Sequence, residues 1–176
     1  KRSFLQFVES RHFPDEFVQQ IKNFRVRGSS GKVNIALSGL PEFTCLPGES
    51  PLHKGAISIS PSIDYIERAY DDAKYGRPSA EPILECTIPS VVDDSLAPAG
   101  RHIMSMFIQY APYKLAEGSW DTMREPFADR CIDLLARYAP NIKRAVIGRQ
   151  ILTPVDMERI YGLTGGNIFH GSMHLN

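Results

Sequence analysis

The stretch KVNIALSGL, residues 32–40, alternates Val33, Ile35 and Leu37 with Asn34, Ala36 and Ser38. A period of two sends successive side chains to opposite faces of a pleated strand, so a sheet built on it is apolar on one face only. The rest of the chain has to supply partner strands and a cover for that face. RHIMSMFIQYAPY, residues 101–113, repeats the pattern, with His102, Met104, Met106, Ile108 and Tyr110 in one row. PILECTIP (82–89) and IKRAVIGRQIL (142–152) read as further strands, and residues 56–59 as a short one.

Helical signals fall between them. In SPSIDYIERAYDDAKYG, Ser60 is placed to cap, Pro61 to take the first helical position and Gly76 to stop the helix, with Ile63, Ile66, Ala69, Tyr70 and Ala73 on one stripe. Residues 120–138 carry Phe127, Cys131, Leu134, Leu135 and Tyr138 at helical spacing, and Pro126 implies a kinked first turn or a late start. Thr153, Pro154 and Asp156 form a capping-box start closed by Gly162. FPDEFVQQIKNF opens the chain with a short amphipathic helix beginning at Pro14. The central order is βαββαβ, as in ferredoxin-like and related α+β domains, with a mixed or antiparallel sheet and helices on one face. The Met104, Met106 and Ile108 row is then either sheet-to-helix core or a wall for an apolar substrate.

Twenty Lys and Arg balance twenty Asp and Glu, so no net field recruits nucleic acid. Three dispersed cysteines, Cys45, Cys86 and Cys131, suit a reducing compartment better than a disulfide framework. No apolar run approaches a membrane span, and a soluble intracellular protein is expected, in the cytoplasm or in a mitochondrial matrix.

Four motifs lose their chemistry in context. RGSSGK lacks the glycine spacing and the following Ser or Thr of a phosphate loop and precedes a strand, so it reads as a turn. GLTGGN follows a helix instead of joining a strand to one, which removes the dinucleotide reading and leaves Gly165 and Gly166 for a sharp turn or a close backbone approach. His170 and His174 have zinc-helix spacing, but Gly171 lies between them and no glutamate accompanies them, so no metal site is expected. Asp93 and Asp94 sit in a Ser- and Pro-containing loop and read as a solvated turn.

RGSSGKVNIALSGLPEF, WDTMREPFADRCIDLLARYAP and GRQILTPVDMERIYGLTGGNIFHG together resemble the middle-to-late part of phytoene desaturase-related FAD-dependent oxidoreductases, nearest the branch named for a pyridine nucleotide-disulfide oxidoreductase domain. The resemblance implies a substrate-binding domain of a longer flavoprotein, without the Rossmann domain that holds FAD. It divides the chain into a helical segment and linker (1–32), a substrate-binding unit (33–161) and the start of a return segment (162–176). It implies FAD in the parent and none on this chain alone, which would be inactive. Gly165, Gly166, Asn167 and His170 become candidates for residues near flavin or substrate in the parent, and Met104, Met106 and Ile108 for an apolar substrate wall. The expected partners are the remainder of the flavoprotein chain and an apolar small molecule. An alternative from another class is a non-catalytic α+β module that docks a protein through its sheet face or GNIFHG edge. Surface meant for a missing domain could also pair copies into a homo-oligomer.

Overall fold

A computed structural model describes residues 1–48 and 50–172. Its elements are α1 (Arg2–Gln6), α2 (Asp15–Asn23), β1 (Ser30–Leu37), β2 (Ile57–Ile59), α3 (Ile63–Lys74), β3 (Ile83–Thr87), β4 (His102–Gln109), α4 (Trp120–Ala136), α5 (Ile142–Ala145), β5 (Val146–Leu152) and α6 (Pro154–Tyr161), with short 3₁₀ turns between. The strands form one sheet in the order β2-β3-β4-β1-β5. Every pairing is antiparallel, which settles the choice left open by the sequence. The crossover from β1 through α3 to β3 leaves room for β4 between its strands, and the crossover from β4 through α4 to β5 leaves room for β1. These interlocked crossovers give the ferredoxin-like strand order, with β2 added at one edge.

Register sorts the side chains into two faces. Residues opposite one another across a ladder share a face, so one rung runs Ile151, Val33, Met106, Cys86, Ile57. Val33, Met106 and Cys86 have no exposed surface, and with Ile35, Met104, Ile108 and Leu84 they pack beneath α4 and α5. Each such side chain is worth roughly 1.5–3 kcal/mol of apolar burial. The adjacent rung, Gln150, Asn34, Ser105, Thr87, lies on the opposite face, and its members are half-buried or exposed. On the covered side Arg149 of β5 pairs with Glu125 and Asp129 of α4, tying the sheet edge to the helix.

Local readings of the chain were overridden at several points. α4 runs unbroken through Pro126 from Trp120. Buried Trp120 donates its indole N–H to the Pro112 carbonyl at 2.9 Å and packs edge-on against Phe127, and this anchoring holds the first turn despite the missing amide. Residues 142–145 form the short helix α5 instead of the first residues of a strand, because Ile142 and Ala145, three apart, both enter the core. Helix α3 is capped by Ser62, whose hydroxyl accepts from the Tyr65 amide at 3.1 Å, so Ser60 and Pro61 stand outside it. Pro14 likewise precedes α2. Asp93 makes the expected turn, accepting from the Ser95 amide and hydroxyl. Among the described residues between Pro41 and Ala56 the regular structure is one 3₁₀ turn, Pro51–Lys54, pinned by buried His53, whose Nε2 lies 2.8 Å from the Pro41 carbonyl.

Met106→Ala should lower stability by about 2–5 kcal/mol, since the cavity lies between sheet and α4 where neither can collapse. Chemical denaturation of the variant and the parent sequence measures this.

Candidate functional site

Two regions hold the residues that the sequence singled out. The first is a junction between residues 24–29, which lead into β1, and residues 162–172, which follow α6. Helix α6 is fixed first. Thr153 accepts from the Asp156 amide at 3.2 Å, while Asp156 accepts from the Thr153 amide and hydroxyl at 3.1 and 2.7 Å, a reciprocal cap. Asp156 is buried and also meets Arg124 and Arg159. Burial alone would favour its neutral form, but the Thr153 hydrogen bonds and the Arg124 guanidinium outweigh it and hold its pKa below the ordinary carboxylate value. The helix ends at Gly162 in the left-handed conformation, as the sequence implies.

Beyond it the backbone folds onto the segment leading into β1. Gly28 donates to the Gly165 carbonyl at 2.8 Å, the Asn167 side-chain amide donates to the Arg27 carbonyl at 2.9 Å, and Ser172 donates to the Arg25 carbonyl at 2.9 Å. Partner numbers fall on one side as they rise on the other, so the two segments run antiparallel. RGSSGK is therefore no turn: residues 24–29 are irregular, and β1 begins at Ser30. The glycines serve proximity. A Cβ on Gly165 would lie 2.6 Å from the Val26 carbonyl oxygen, one on Gly166 would overlap the Pro154 carbonyl, and both residues have positive φ. Glu158 joins a third segment, accepting from the Gly165 amide at 2.8 Å and from the Tyr113 hydroxyl. That hydrogen bond, with burial, raises the Tyr113 pKa. His170 is exposed at φ 62°, a backbone conformation uncommon for a side chain other than glycine. His174 lies outside the described residues, and among those described no group of His, Cys, Asp and Glu is placed to hold a metal ion.

This junction does not fit the pyrophosphate of FAD. A phosphate cradle needs outward-facing free amides at a helix N-terminus, whereas the Gly165 amide goes to Glu158, the Gly166 amide to Leu163 and the Gly28 amide to Gly165.

The second region is the uncovered sheet face. Met104, Met106 and Ile108 are not on it; they are wholly buried against α4, so of the two readings of that row the structure displays the core. The alternate residues of β4, Ile103, Ser105 and Phe107, occupy the open side with Lys32, Asn34 and Ala36 of β1. Asn34 donates to Gln150 at 3.0 Å, and the pair can still offer the Asn34 carbonyl and the Gln150 amide to a ligand. Phe107 stands opposite Lys32 on one side and Glu85 on the other. A concavity of about 290 Å³ beside it is lined by Ser58, Glu85, Thr87 and Ser105. A larger one of about 470 Å³ between α4 and Glu81 has its charges engaged already, Arg137 with Glu81 and Arg130 with the Pro78 and Ser79 carbonyls. The period-two pattern gave the open row its membership but not its exposure, which depends on which side α4 lands.

Fold and face together describe an α+β unit with one face completed internally and one left open. No family model matches the sequence. Over 99% of the chain it is 42% identical to a rat protein named pyridine nucleotide-disulfide oxidoreductase domain-containing protein 2, and 40% identical to the mouse protein of that name. It is 24% identical, over 83% of the chain, to an uncharacterized protein of Mycobacterium tuberculosis. The chain spans 31% of the length of the rat and mouse relatives, so it corresponds to a part of a longer protein bearing an oxidoreductase name. Those names carry the oxidoreductase class and not a kinship to phytoene desaturase. No helix among the described residues is long and apolar enough to cross a membrane.

Two outcomes test the junction. Gly166→Ala should cost about 1–3 kcal/mol through its positive φ and the Pro154 carbonyl, whereas Gly39→Ala, with nothing near its Cβ, should be far milder; thermal unfolding of both compares them. The Asp156 contribution is present above its unfolded pKa of about 3.9 and is lost as pH falls through its lower folded value. The stability gap between the parent sequence and Asp156→Asn should accordingly be widest above about pH 5 and narrow toward pH 2, as denaturation curves across that range would show.

Proposed function

We propose that the chain is the substrate-binding part of a longer FAD-dependent oxidoreductase, dehydrogenase- or desaturase-like, and that its open sheet face is one wall of the substrate cavity. Residues 33–161 form the substrate unit, and residues 1–32 and 162–176 join it to the cofactor-bearing remainder. The observation carrying this reading is the division of the sheet: one face is sealed by α4, and the other presents Ala36, Ile103 and Phe107 beside Asn34, Ser105 and Gln150. The relatives' oxidoreductase names supply the class, and the resemblance to phytoene desaturase-related enzymes supplies the flavin.

FAD in the remainder of the parent would supply hydride acceptance, so the chain's share of the work is to bind, orient and keep water away. On this face an apolar body would lie over Phe107, Ile103 and Ala36, and a polar group of the same molecule would reach Asn34, Ser105 or Gln150. The proposed substrate is thus apolar with at least one hydrogen-bonding group. FAD would be held by the remainder of the parent. Gly165, Gly166, Asn167 and His170 would set the path of the return segment toward it.

Purification of the longer protein tests the reading. It should show visible flavin absorbance, and Asn34→Ala and Phe107→Ala variants should keep that absorbance while kcat/KM for its substrate falls roughly 5- to 150-fold, the effect of losing about 1–3 kcal/mol of contact. A longer protein that binds no flavin would contradict it and favour the non-catalytic docking module.

A further inference from the structure

Exposed apolar side chains gather around the antiparallel junction. Phe24 and Phe169 lie on its two segments, Ile160 and Tyr161 end α6, and Phe7 follows α1; their exposures run from 48% for Phe24 to 77% for Phe7. Direct contacts join the segments that carry them. Arg2 donates to the Gly162 carbonyl at 3.3 Å, Lys1 donates to the Lys22 and Phe24 carbonyls at 2.6 and 3.1 Å, and Gly171 lies so close to Phe24 that a Cβ there would overlap its ring. Phe4, Phe13 and Phe17 pack together at 5.1–5.8 Å between centroids and join α1 to α2, with Phe4 itself exposed. A clustered apolar surface of this kind marks a contact.

Resting on the reading above, we infer that this aromatic collar is a docking surface for the polypeptide that flanks the matched stretch in the longer protein. The relatives extend over more than twice the length that the chain matches, which supplies an occupant. The pairing of residues 24–29 with 162–172 supplies the place, since flanking chain on either side would join at this one end. An aromatic surface there would hold the flanking polypeptide against the unit and fix the angle at which the open sheet face meets it. The two neck segments cannot swing apart without breaking the Gly28–Gly165, Arg27–Asn167 and Arg25–Ser172 hydrogen bonds.

Thiol accessibility in the full-length protein tests this. In a Cys45→Ser background, Phe169→Cys, Ser105→Cys and Ile63→Cys would each be reacted with a bulky maleimide; Ile63, 78% exposed at the start of α3, is the control. The collar thiol should react roughly tenfold more slowly than the control, because a covered thiol waits on local opening. Equal rates at positions 169 and 63 overturn the inference. If position 105 is nonetheless protected, the open-face reading survives and the collar alone fails; if 105 is also fast, both fail. Protection at 169 that disappears on dilution would identify a second copy as the occupant and overturn the inference as well.

Discussion

An antiparallel sheet one helix layer thick can be dry on one side only, and every functional statement about this chain depends on which side that is. The rung Ile151–Val33–Met106–Cys86–Ile57 faces α4, and a shift of one residue in register would send the whole set to the other side. Interlocked crossovers hold the register, since β4 and β1 each lie between strands that a helix connects. Once α4 takes the methionine row, the row containing Ser105 and Phe107 is the surface left to meet a ligand or another domain. Its mixture of an aromatic ring, an amide pair and a hydroxyl suits a molecule with both apolar and polar parts.

The junction is joined to the strand that carries that surface. Glycines at 28, 165 and 166 remove the side chains that would keep two backbones apart, and Glu158 fastens the result to Tyr113 beyond the end of β4. The end of β4, a strand that carries the open face, is thereby tied to residues 24–29 and 162–172. In the same arrangement the amides of Gly28, Gly165 and Gly166 are already occupied, so none of them is free for a phosphate.

Much of the fold was legible because its signals are local. The alternation of 32–40 and 101–113, the Thr153–Asp156 cap and the Gly162 stop each rest on residues within one turn or one strand. What escaped was set at long range. Pro126 is tolerated because Trp120 is anchored on Pro112, α5 exists because Ile142 and Ala145 are drawn into the core, and Gly28 acquires its role from Gly165, far along the chain. The site suffered most from this. Periodicity divided β4 into two rows correctly, yet only the position of α4 shows that Phe107 and not Met106 faces outward.

Hydroxyl-radical footprinting of the longer protein tests the central claim, that the sheet face opposite α4 is turned toward the rest of the molecule. Phe107 should be protected from oxidation relative to the isolated chain, while Tyr138, exposed just past the end of α4, should react equally in both. Protection of Tyr138 with unchanged oxidation of Phe107 would contradict the account, because it would put the remainder of the longer protein on the helical side.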